Sequence, residues 1–131
     1  MDIKSLIIGR WKVKFVFAHD GYDIEDIIWM LYDIGANGEI IDDAYMLMKK
    51  GNVNTGFTYT DGKSHKAIVV IGNASSGEEF INTTIHEIHH LAVAIAIGLG
   101  VDLEAETPAY IAGDLAYDLA EYICNLGCRL I

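Results

Sequence analysis

Lys and apolar residues alternate from Trp11 to Phe17 (WKVKFVF), a period of two that predicts a half-buried strand. From Asp23 to Ile34 the period lengthens. Ile24, Ile27, Ile28, Leu31 and Tyr32 fall on one face of a helix, and Asp23 is placed to cap it. A second helix is expected over Glu39–Lys50, after the GANG turn. Thr55–Thr60 and Lys66–Ile71 flank TDGKS, whose Asp61-Gly62 pair signals a hairpin. The block AIVVI suits a strand buried on at least one face. Ser75 or Ser76 can cap a long helix from about Glu78 to Ile97, which stops at the GLG of residues 98–100. A last helix begins within LEAETPAY, with Pro108 in its first turn, and continues to about Cys124. The groups Trp29/Met30/Tyr32 and Tyr45/Met46/Met48 recur at helical spacing and read as core. Strand, two helices, hairpin and two helices make an α+β pattern, expected as one domain over residues 1–131.

The long helix breaks its own pattern. Residues 83–98 read TTIHEIHHLAVAIAIG, with three imidazoles and a carboxylate at the head of an Ala, Ile, Val and Leu run. At about 100° per residue, His86 and His90 fall about 40° apart and can point two ring nitrogens at one ion. Glu87 lies about 60° from His90, within reach of a metal-bound water. Ile81, Ile85, Ile88, Ala92 and Ile95 cluster on the opposite side as an apolar back. HEIHH is an HExxH sequence, in which two neutral imidazoles hold Zn²⁺ and the Glu accepts a proton from the water that the metal acidifies. In a chain of this composition, chance supplies the pattern on the order of one time in a hundred. His89 lies about 100° from His90, outside the same coordination sphere, and reads as a packing or supporting residue.

Charge agrees with a cation. The net charge is −10, with 19 acidic residues facing 9 basic ones. That balance argues against nucleic acid, whose phosphates need clustered Lys and Arg. The start, MDIKSLIIGRWK, has too short an apolar stretch for a secretory signal, and the longest uncharged apolar run, Leu91 to Val101, is too short to cross a bilayer. Cys124 and Cys128 read as free thiols in a reducing cytoplasm.

A catalytic zinc takes three protein ligands and a water. No His or Met follows His90, so a long three-histidine motif with a downstream Met-turn is excluded. The remaining downstream ligands are Asp102, Glu104, Glu106, Asp114, Asp118, Glu121 and the two cysteines. Asp114, Asp118 and Glu121 share one stripe, most simply a solvated face. Glu104 and Glu106 start the last helix, and Glu106 is favoured, with Tyr110 one turn further along.

HEIHH, a short glycine-containing turn and E-T-P-A-Y-I from Glu106 resemble the HExxH zincin metallopeptidases, closest to small gluzincin-like forms of bacterial and phage-related proteins. The lead-in VVIGNASSGEEFINTT is similar to their segment before the active-site helix. The resemblance covers residues 57–115 and nothing in 1–50. It implies a short antiparallel sheet packed on the HExxH helix and the helix after it. It also implies His86, His90 and Glu106 as zinc ligands, Glu87 as general base and Tyr110 as a transition-state donor. In zincins an edge strand pairs with extended substrate, and Ala67–Ile71 is the candidate, against an inner strand of the sheet. The expected function is therefore hydrolysis of a peptide or protein substrate. The alternatives are a zincin-like binding module without turnover, and a closed Cys₂His₂ site formed by Cys124, Cys128, His86 and His90.

Overall fold

The computed structural model describes residues 1–102, 104 and 106–129, with side chains in the last helix described as far as Leu126. Its elements are β1 (Asp2–Ile8), β2 (Trp11–Phe17), α1 (Ile24–Asp33), α2 (Gly38–Lys50), β3 (Gly56–Asp61), β4 (Lys66–Ile71), α3 (Gly77–Gly98) and α4 (Thr107–Arg129). The fold is α+β. The helices start where the capping residues dictate. Asp23 accepts from the Asp26 N–H, Asn37 from Ile40 at 3.0 Å and Ser76 from Glu79 at 3.1 Å. Ser75 does other work: its N–H and hydroxyl bond the Asn54 side chain, tying the approach to β3 to the approach to α3.

One strand goes beyond the sequence expectation. β1 pairs antiparallel with β2, so the chain opens with a hairpin turned at Gly9, where φ is +57°. Its apolar residues do not follow strict alternation, and Ile3 and Ile7 lie exposed on it. The sheet order is β1-β2-β4-β3. β2 and β4 run parallel, joined through α1, α2 and β3, so the sheet is mixed rather than purely antiparallel. β4 is therefore an inner strand, paired on both sides, and Ala67–Ile71 cannot receive a substrate strand. β3 is the edge.

Strand alternation divides the interior in two. Val13, Phe15 and Phe17 of β2 with Ala67, Val69 and Ile71 of β4 face α3 and α4, meeting Phe80, Ile88, Leu91, Ile95, Leu115 and Leu119. Val16, Ile68 and Val70 point the other way, into Ile27, Leu31, Ala44 and Met48 of α1 and α2. Since α1 and α2 lie on one side of the sheet, only one stripe of each is covered. Met48 is buried, but Trp29, Tyr32, Tyr45 and Met46 are exposed, correcting their assignment to the core. Among the described residues no helix is long and apolar enough to cross a membrane.

On β3, Phe57 and Tyr59 pack towards α1 and α2, which turns Gly56, Thr58 and Thr60 towards α3. Gly56 has no room for a side chain. A Cβ there would lie 2.6 Å from the Val70 carbonyl oxygen and 3.3 Å from both the Glu87 Cγ and the Thr83 Cγ2. Gly56→Ala should therefore cost about 1–3 kcal/mol by overpacking. Urea denaturation checks this: the midpoint should fall with the m-value unchanged.

Candidate metal centre

The buried face of α3 is not the one that its isoleucines mark. Ile88, Ala92 and Ile95 are buried as expected, but Ile81 and Ile85 are exposed. The covered stripe instead runs through Phe80, Thr83, Thr84, Glu87, Ile88 and Leu91. Glu87 therefore belongs to the interior and is only 4% exposed, while His86 and His90 stand at the rim. The helix turns its HExxH residues towards β3, where they line a solvent-open groove with Gly56, Thr58 and Thr60.

His86 and His90, one helical turn apart, bring their Nε2 atoms to 3.1 Å, with ring centroids 4.7 Å apart and planes at 81°. Two imidazoles bound tetrahedrally at 2.0–2.1 Å to one ion would place their nitrogens about 3.3 Å apart. The spacing on this helix is thus close to what an ion demands. A carboxylate oxygen of Glu87 completes a group whose ligand atoms all lie within 4.8 Å of one another. His86, Glu87 and His90 are close enough together to hold a metal ion.

The carboxylate supports the same reading from its own side. Thr58 donates its hydroxyl to Glu87 Oε1 at 3.0 Å. Among the described residues the only ion pair joins the Met1 ammonium to Asp20, so no Lys or Arg offsets the charge of Glu87. A buried carboxylate is costly without a cation or several donors. A divalent ion between the two imidazoles would supply that charge, and the donor set, imidazole with carboxylate, suits first-row divalent metals.

The remaining expected site residues lie apart from this group. Glu106, just before α4, and Tyr110, in its first turn, are exposed and joined by the Tyr110 N–H to the Glu106 carbonyl at 3.0 Å. Glu106 is not among the ligand atoms that lie within 4.8 Å of one another at His86, Glu87 and His90. One cause is length: α3 continues eight residues beyond His90, about 12 Å along its axis, before the chain turns towards α4. Glu104 is exposed and bonds the Asp102 side chain through its own N–H. Asp114, Asp118 and Glu121 are exposed, as a solvated stripe requires. His89 is exposed, its ring centroid 6.4 Å from that of His90. Cys124 is an exposed free thiol on α4, and the side chain of Cys128 lies outside the described residues.

Thr58 is the contributor that motif reading misses. Its signal was present in the alternation of FTYT, which places Thr58 and Thr60 on the face opposite Phe57 and Tyr59. No model of a known protein family matches the chain, and neither the curated proteins nor the solved structures contain a match to it.

Elemental analysis of the purified protein should find one divalent metal per chain, lost in His86→Ala and His90→Ala and retained in Cys124→Ser. Thr58→Val should cost about 1–3 kcal/mol in thermal or denaturant unfolding of metal-free protein, because a buried carboxylate loses its hydroxyl donor.

Proposed function

We propose that this chain is a zinc-dependent peptidase. The observation that carries the reading is the convergence of His86 Nε2, His90 Nε2 and the buried Glu87 carboxylate beside the free edge of β3. His86 and His90 would hold the zinc, and Glu106, which stands outside their group in the structure, is the third protein ligand that this reading requires. Bound zinc lowers the pKa of a coordinated water to near neutrality and polarises a substrate carbonyl.

The chain's own residues do the rest. Glu87 accepts a proton at its carboxylate and later returns it to the leaving amine. Thr58 engages Oε1, fixing the rotation of the carboxyl group and leaving Oε2 to handle the proton. Tyr110 donates to the oxyanion as it forms. The outer edge of β3 offers unpaired backbone groups to an extended peptide, which aligns its scissile bond with the groove of Thr58, Thr60 and His90. The groove is shallow, so a flexible protein segment is the substrate class that fits best. The exposed free thiol of Cys124 accords with a reducing cytoplasm as the site of action.

A second reading is favoured by one specific distance. Glu87 offers an oxygen within 4.8 Å of both imidazole nitrogens, near enough to serve as a ligand after a small rotation. The protein would then be a metal-binding regulatory module with no base left for hydrolysis. Glu87→Gln separates the two. For a peptidase, zinc stays at one per chain while kcat/KM on an unstructured protein substrate falls by about 10²–10⁴. For a binding module, zinc affinity itself drops and the wild-type protein shows no turnover to lose.

A further inference from the structure

The face of the sheet turned away from the metal group carries a second cavity. It measures about 430 Å³ and lies where α1 ends and the β1–β2–β4 surface continues uncovered. Sheet register explains what lines it. Lys12 of β2 sits beside Lys66 of β4 and beside Ile7 of β1, and Lys14 is two residues from Lys12 on the same face. Met30 of α1 and Ile34, just past its end, close one side with apolar atoms.

Three of the nine basic residues of a chain with net charge −10 thus meet in one depression. Like charges directly opposite on a sheet destabilise it. Among the described residues none of the three has a carboxylate within salt-bridge distance, although Asp33 also lines the cavity. Protection of a sheet edge does not explain them, since β2 and β4 are both inner strands. What such an arrangement satisfies is an anion, and what the apolar wall satisfies is the body attached to it. The volume falls in the range of small-molecule sites.

We infer that Lys12, Lys14 and Lys66, together with Ile7, Met30 and Ile34, form a binding site for a small amphipathic anion, its charged head on the lysines and its apolar body along α1. This site is independent of the metal group, which lies across the sheet.

The probe is octanoate below its micellar concentration, with 1-octanol as its neutral counterpart, followed by amide chemical shifts of the full chain. Octanoate should perturb the amides around Lys12–Lys14 and Lys66–Ile68 saturably and bind at least about tenfold more tightly than octanol, since only the anion meets the ammonium groups. The double substitution Lys12→Thr and Lys14→Thr should weaken octanoate at least about tenfold and leave octanol unchanged, with added salt acting in the same direction on the wild type. In the absence of octanoate, the double variant should unfold at a higher temperature than the wild type, because two mutually repelling charges are gone. Equal affinity for octanoate and octanol, shifts mapping elsewhere, or no saturable binding would overturn the proposal. So would sedimentation showing wild-type self-association that the double variant abolishes, which would assign the lysines to a second copy of the chain.

Discussion

The close approach of β3 to α3 is the constraint on which the rest depends. Gly56 leaves β3 free to lie close to α3, since a Cβ there would press on the Thr83 and Glu87 side chains. Once the backbones are this near, Thr58 reaches Glu87 Oε1 and the carboxylate is held inside the protein rather than released to solvent. The imidazoles of His86 and His90, fixed to the same helix, then open into the groove beside the strand. The metal-capable group and the free edge of β3 thus meet at one contact. Loosening that contact would release both.

Local rules account for much of this fold, because several are written in few residues. Asp23, Asn37 and Ser76 each hold a helix start with one side-chain oxygen, and the Asp61 turn closes β3 onto β4 through bonds to Lys63 and Ser64. The Ser64 hydroxyl, with the Lys63 N–H, holds the Asp61 carboxyl below its usual range. Long-range pairing is different in kind. That β2 lies beside β4 in parallel, displacing β3 to the edge, depends on how α1 and α2 pack across the sheet, and no local pattern states it. β1 was hidden for a related reason. As an edge strand it needs only a partly apolar face, so Ile3 and Ile7 can be exposed and the alternation is blurred.

The candidate site was legible in the same uneven way. HExxH spacing on a helix dictates that His86 and His90 share a face, and the 3.1 Å between their nitrogens follows from one helical turn. Helix periodicity located the apolar back of α3 one step out of phase, however. Its β-branched residues pointed to Ile81 and Ile85, but the neighbouring elements cover the stripe through Glu87 and Leu91 instead. Which stripe is buried is settled by the elements that flank a helix, and for α3 these are β3, β4 and α4. The residues contributed across elements were the hardest to read. Thr58 has no motif of its own, and Glu106 stands outside the group of ligand atoms despite its sequence position.

The two faces of the sheet carry opposite electrostatic problems. On one, a carboxylate is buried with no Lys or Arg among the described residues within salt-bridge distance; on the other, three lysines line a depression and none of them pairs with a carboxylate, although Asp33 lines it too. The sheet core of Phe15, Val16, Val69 and Val70 separates them completely, so neither charge can serve the other. A low-dielectric layer between them leaves each face to find its counter-charge in solvent or in a bound partner. For the acidic side a cation sized to two imidazoles would meet that need. For the basic side an anion with enough apolar surface to cover Met30 and Ile34 would do so.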